Sequence, residues 1–315
     1  MNSDLLLAAR PRWGGQPGRV EVWYATLTDP ETGSGVWVHA ELVAPVDASR
    51  PAYRHGWIAV FPTDGEPRCA RFGRQAGAQD DGAAWFFSDS CTVSLGEIVG
   101  QARSASWDLR WVEVSPPLFT FPRAAWKRNL LPGAQVVIAP TATFDGEIEI
   151  DGRTLALASA PGAVAHIYGH GNAQRWCWLH ADLGGGDVCE LVAAVSRRPA
   201  LRRLPPLAFV QLRSGGELWP RSPVAPLLSQ TDIGLPRWRS RVRARDRRLT
   251  VDVTLPPERC VALRYEDPDG ATATCTNSER ADAVLVFEQK IGGRWREEQR
   301  WELDGTAHAE VGLRP

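Results

Sequence analysis

Residues 162–186 read GAVAHIYGHGNAQRWCWLHADLGGG, and the period of this stretch decides the class of fold. His166 and His170 stand four apart, a spacing that on a helix would put both on one face and could hold a metal. Gly169 and Gly171 break a helix there, so the pair predicts no metal centre. From Trp176 the alternation is strict. Trp176, Trp178, His180 and Asp182 fall on one face, and Cys177, Leu179, Ala181 and Leu183 on the other. Period two is a strand. The second face is a core face. The first, with two indoles, an imidazole and a carboxylate, is either the wall of a ligand cavity or a buried face whose polar groups satisfy one another. Gly184-Gly185-Gly186 then turns the chain into DVCELVAAV. A three-residue loop sets His180 opposite Glu190, and a four-residue loop sends Glu190 to the other face.

Outward from this segment the chain keeps the same rhythm. VEVWYATLTD, GVWVHAELVAP, HGWIAVFP and SWDLRWVEV precede it, and LAFVQLRSGGELW, LTVDVTL and CVALRYEDPDG follow, each of strand length and set off by Gly, Pro, Asp or Asn. Asp151-Gly152 is a hairpin signal. One helix candidate stands out, VSLGEIVGQARSA at 93–105, weakened by Gly96 and Gly100. The pattern predicts an all-β protein of sandwiches or antiparallel barrels. The LASAPG cluster at 157–162 places the break near Ala158–Pro161, giving halves 1–158 and 159–315 with no residue-level repeat between them. RWRSRVRARDRR puts arginines at 237, 239, 241, 243, 245 and 247, all on one face of a strand. A solvated outer face is the reading that the usual exposure of arginine favours.

The 315 residues suit one large domain or two ordinary ones, with 43% apolar residues to build a core. A net charge of −1 excludes a global pull toward nucleic acid or an anionic membrane. Lys127 and Lys290 are the only lysines, so Schiff-base chemistry has two candidate amines. Six scattered cysteines without a C-x-x-C pair argue against a zinc ribbon or a disulfide scaffold and predict free thiols. The opening MNSDLLLAARPRW carries only a short apolar run, and the expected location is cytoplasmic. Phosphate-binding, dinucleotide-binding, nucleophile-elbow and zincin motifs are absent from the sequence.

The stretch YGHGNAQRWCWLHADL resembles the central signature of the tocopherol cyclases and their bacterial relatives. CTNSERADAVLVFEQKIGGRWREEQ followed by AHAEVGL resembles their closing strands, and WYATLTDPETG their opening. The chain departs from that pattern at Ile167-Tyr168-Gly169, where the cyclases read Asn-Trp-Gly, so a tocopherol-type substrate is not carried over. The family is related in architecture to hydroxyneurosporene synthase and to lipocalin-like Diels–Alderases. The resemblance implies two lipocalin-like antiparallel β-barrels side by side, an apolar ligand in a cavity, and no cofactor.

Two functions follow as expectations. The first is a cofactor-independent cyclase, hydratase or isomerase acting on an isoprenoid, polyene or similar apolar molecule. His166, Tyr168, His170, His180, Asp182 and Glu190 would donate and orient protons. Trp176 and Trp178 would shape the cavity and stabilise a developing carbocation through their π faces. The second is a carrier or sensor of a hydrophobic ligand that needs only the apolar walls; an interaction protein with a filled pocket is a third, less specific reading. Expected partners are a small apolar ligand or substrate and, for its uptake, peripheral contact with a membrane; neither nucleic acid nor a metal is expected.

Overall fold

A computed structural model describes residues 3–76, 82, 84–129, 131–222 and 224–315. The chain divides into two compact units, Met1–Gly171 with Glu266–Thr272, and Asn172–Tyr265 with Ala273–Pro315.

The first unit holds strands β1 (Arg19–Thr28), β2 (Gly35–Ala44), β3 (Tyr53–Phe61), β4 (Arg68–Ala76), β5 (Phe86–Phe87), β6 (Cys91–Ser94), β7 (Glu97–Ala102), β8 (Ala105–Glu113), β9 (Gly133–Ile150) and β10 (Arg153–Gly169). They form one antiparallel sheet in the order β4-β3-β2-β1-β10-β9-β8-β7-β6-β5. The second unit holds β11 (Arg175–Gly184), β12 (Asp187–Val195), β13 (Leu207–Ser214), β14 (Glu217–Trp219), β15 (Ser229–Asp232), β16 (Arg237–Ala244), β17 (Arg247–Thr254), β18 (Val261–Glu266), β19 (Thr272–Ile291) and β20 (Arg294–Leu313). Its order is β14-β13-β12-β11-β20-β19-β17-β16-β15, with β18 on β19. In both sheets the first four strands run outward as a meander and the last strand returns beside the first. The two units therefore repeat one lipocalin-like barrel sheet without repeating its residues.

Alternation assigns one face of each sheet to a core. In the first unit Trp23, Ala25, Val38, Ile58, Phe144 and Val164 pack together, with helix α1 (Ser3–Ala9) adding Leu5 and Ala8. In the second, Cys177, Leu179, Leu191, Leu249, Leu285 and Val311 do the same. The opposite faces of β2 and β11 are buried as well. Those second faces carry the polar residues that position the site.

Three expectations need correction. The division lies at Gly171/Asn172, not near Ala158–Pro161. LASAPG is a bulge inside β10: the register slips between Leu157 and Ala160, Ser159 takes φ 51°, and its N–H donates to the Asp145 carboxylate at 2.9 Å. Small residues and Pro serve a bulge as well as a linker, and composition does not separate the two. The helix candidate at 93–105 is a pair of hairpins. Gly96 turns with φ 80°, and Gly100 lies against the Trp107 indole, where a Cβ would come within 2.2 Å of the ring. The arginine run is a hairpin rather than one strand. Arg237, Arg239, Arg241 and Arg243 share a face of β16, Arg245 turns with φ 56°, and Arg247 begins β17. Its solvated character holds, because Arg237 and Arg239 are exposed and share Asp252 as counter-ion.

Candidate functional site

β11 runs between β12 and β20, and three cross-strand rows build the face turned away from the core. Trp176 stands between Ala194 and Gly312, Trp178 between Val192 and Glu310, and His180 between Glu190 and His308. β19 extends the rows with Cys275 opposite Gly312 and Asn277 opposite Glu310, and Glu279 reaches His308. The turn sets this register. Gly184, Gly185 and Gly186 all have positive φ, and a single irregularity there leaves His180 opposite Glu190. Gly312 is required for a different reason: the Trp176 indole lies over it, and a Cβ would fall 2.0 Å from the ring.

The carboxylates on this face lie against named partners. Glu190 accepts the Trp178 indole N–H at 2.6 Å on Oε1 and faces His180 Nδ1 at 2.9 Å through Oε2. Glu310 accepts the Trp176 indole N–H at 2.6 Å and the Cys275 thiol at 3.3 Å. Glu279 Oε2 lies 2.6 Å from His308 Nδ1. The imidazoles of His180 and His308 are 5.9 Å apart between ring centres. His180 is 1% exposed and Glu190, Asn277 and Glu279 are fully buried. His180 Nε2 has no hydrogen-bond partner among the described residues.

Burial sets the protonation of the groups around that dyad. It pushes the Glu279 carboxyl well above the usual range, against the opposing hydrogen bond from Asn277 and the nearby His180. It also raises Glu310, against the bonds from Trp176 and Cys275. His308 is pushed down to about 3, first by burial and then by His180. Burial thus disfavours the charged forms of both Glu279 and His308, which lie 2.6 Å apart beside a second imidazole held by a separate glutamate.

The sequence-derived candidates separate into two groups. Trp176, Trp178, His180 and Glu190 meet on this face. Asp182 does not join them, because its carboxylate accepts the Gly184 N–H at 2.9 Å and shapes the turn. His166, Tyr168 and His170 belong to the first unit. His166 sits inside its core, stacked on Trp23 at 4.6 Å, with Nδ1 2.8 Å from the Ala8 carbonyl and Nε2 2.8 Å from Glu21. Tyr168 packs in the same core under the Arg12 guanidinium. His170 is exposed, with Nδ1 2.7 Å from Arg19. Among the described residues no group of three or more His, Cys, Asp or Glu side chains could hold a metal ion.

His308, Glu279, Glu310, Asn277 and Cys275 escaped the sequence reading. The signal was present in AHAEVGL, where His308, Glu310 and Gly312 alternate with Ala307, Ala309 and Val311. A second polar face was also missed. In the first unit VWVHAEL places Trp37, His39 and Glu41 opposite the core, next to His55 and Trp57 of β3. Glu41 Oε2 lies 3.3 Å from His39 Nε2 and 3.5 Å from His55 Nε2, and His39 stacks on Trp57 at 3.9 Å. Burial pushes Glu41 up to about 7 and His39 down to about 3.

Comparison with known proteins agrees with this architecture. Over 307 residues the chain is 52% identical to the uncharacterized proteins MT0513 and Rv0493c of Mycobacterium tuberculosis, covering 98% of this chain and 90% of theirs. Two crystal structures share the fold at low identity. One is an AttH protein of Nitrosomonas europaea, with TM-score 0.55, 13% identity, and coverage of 94% of this chain and 92% of that one. The other is kievitone hydratase of Nectria haematococca, with TM-score 0.56, 9% identity, and coverage of 98% and 92%. The model of the tocopherol cyclase-like family matches residues 87–313, which include every strand of the second unit and the whole polar face. The chain belongs to the tocopherol cyclase-like family.

Proposed function

We propose that the second unit carries a cofactor-independent acid–base site for cyclisation, hydration or isomerisation of an apolar isoprenoid, polyene or similar molecule. The observation that carries this reading is the pairing of two unlike dyads. Glu190 holds His180 by Nδ1 and leaves Nε2 without a partner among the described residues, while burial pushes the Glu279 carboxyl up, 2.6 Å from His308. Environments that push neighbouring titratable groups apart assign acid and base.

In this mechanism the Glu279–His308 dyad delivers a proton to an alkene carbon, and the π faces of Trp178 and Trp176 stabilise the cation. A hydroxyl of the substrate, or water, closes the new C–O bond and gives its proton to His180 Nε2. For isomerisation His180 removes a proton from the adjacent carbon instead. The proton returns from His180 through His308 to Glu279, so the cycle consumes no proton and no electron. Family membership supports the reading, and kievitone hydratase, which shares the fold, is by name a hydratase. The face is buried, so a substrate reaches it only by displacing what covers it.

The test joins native mass spectrometry of the purified protein with turnover in D2O on prenylated phenols and linear polyenes. Carbon-bound deuterium from wild type and none from His180→Asn supports the site. Retention of an apolar molecule, lost in Trp178→Ala but indifferent to His180→Asn, with no turnover, replaces the enzyme by a carrier.

A further inference from the structure

The second unit exposes leucines in two of its connections. Leu201, Leu204 and Leu207 in and after the β12–β13 connection, and Val224, Leu227 and Leu228 in the β14–β15 connection, are six of the large apolar side chains open to solvent. Leu227 is 70% exposed. Both connections meet at one end of the sheet. β12 leaves at Val195 beside Arg175, and β13 re-enters at Leu207 beside Ala194. The other connection closes at Ser229, whose hydroxyl accepts the Ala208 N–H at 3.1 Å. Short 3-10 turns at Pro199–Leu201 and Ala225–Leu228 carry Leu201, Leu227 and Leu228.

Charge is concentrated at the same place. From Leu191 to Thr231 the chain has six arginines and one acid, Glu217, in a protein whose net charge is −1. Arg198, Arg202, Arg203 and Arg221 make no ion pair among the described residues, whereas Arg237 and Arg239 of β16 share Asp252 and Arg248 pairs with Glu288. Arg237, Arg239 and Arg248 are thus neutralised by carboxylates, and the first four are not. Exposed leucines interleaved with uncompensated arginines fit a surface that is apolar inside and anionic at its rim.

We propose that this end of the second unit docks on an anionic lipid bilayer, with the leucines entering the interface and the arginines on lipid phosphates. An interfacial site needs both terms, since a few apolar side chains or a few charges alone bind weakly. Among the described residues no helix is long and apolar enough to cross a membrane, and the docking side chains sit in connections between strands.

Vesicle flotation tests the docking without any turnover, so its outcome is read apart from the acid–base site. The full chain is floated with phosphatidylcholine vesicles and with vesicles that also contain phosphatidylglycerol, at low and high salt. Wild type should rise with the anionic vesicles and fall away as salt increases. Leu227→Ser with Leu228→Ser should weaken binding at least about tenfold. Arg202→Ser with Arg203→Ser should weaken it about fivefold per arginine and remove the preference for phosphatidylglycerol. All four side chains are exposed, and unchanged circular dichroism and melting confirm that the variants fold. Absence of wild-type binding overturns the proposal, as does binding that survives both double variants. So does light scattering that shows the leucine patch joining two copies of the chain.

Discussion

His166 lies 2.8 Å from Glu21 and His180 lies 2.9 Å from Glu190, and both imidazoles are buried. Four residues of sequence context would not tell them apart. Their surroundings do. Glu21 also accepts the backbone N–H groups of Arg12 and Trp13 at 2.6 and 2.9 Å, and His166 gives its other nitrogen to the Ala8 carbonyl. That pair ties the N-terminal residues to the first barrel, and every ring nitrogen is used. Glu190 takes instead the Trp178 indole and His180, while His180 Nε2 has no partner among the described residues, near Glu279, whose carboxyl burial pushes up. A buried histidine–glutamate pair is structural when its polar atoms are all committed. It is a candidate for chemistry when one is withheld next to a group of shifted pKa.

The comparison breaks most sharply on activity. His180→Ala should lower turnover by about 10²–10⁴-fold, measured as product formed from the substrate that the D2O screen identifies. His166→Ala, assayed in the same way at a temperature where it is folded, should leave turnover nearly unchanged. Equal losses in both variants would erase the distinction.

Stability should show the reverse order. His166→Ala strips Glu21 and Ala8 of their buried partner and should cost about 3–5 kcal/mol in urea unfolding, the scale of breaking a buried ion pair. A loss no larger than for His180→Ala would argue that His166 is not a structural tie.

The first unit's outer face offers a test by pH. Glu41 rises from 4.5 to about 7 on folding, chiefly through burial, with His55, Arg71 and Arg74 opposing and Asp267 adding. Its folded form therefore holds a proton that the unfolded chain releases above 4.5. The stability from Glu41 is complete below that value and is lost as pH rises through 7, by up to about 3 kcal/mol. His39, lowered to about 3, has the opposite sign: its contribution grows between about 3 and 6.5. His39 and His55, both lowered by burial, oppose Glu41 up to about 6.5, and above it the loss from Glu41 remains. Stability of wild type relative to Glu41→Gln should therefore decline between pH 5 and 8, and a flat difference would refute the shift.

The smallest effect should come from Gly312→Ala. The added Cβ meets the Trp176 indole, which must move and release Glu310, at a cost of about 1–3 kcal/mol. Tryptophan fluorescence should change with it, while Gly293→Ala, with open space around its Cβ position, should leave the indole where it is.

The polar face was half legible. The alternation of Trp176, Trp178 and His180 against Cys177 and Leu179 could be read directly, and the three glycines left only the register with Glu190 open. Asp182 was misplaced because a carboxylate two residues before a glycine turn serves the turn as readily as a site. His166 and Tyr168 were misplaced because the segment crosses the division between the units at Gly171/Asn172. Neighbours in sequence thus end in different barrels.

The sequence by itself determined the all-β class, the strand faces and the family motif, because period-two alternation and turn chemistry are local properties of a few residues. Only the tertiary structure decided which histidine is spent and which is available. Glu310, His308 and Glu279 reach β11 through strands more than ninety residues away in the chain, and burial of the outer face, which shifts their protonation, arises from contacts that no local pattern encodes.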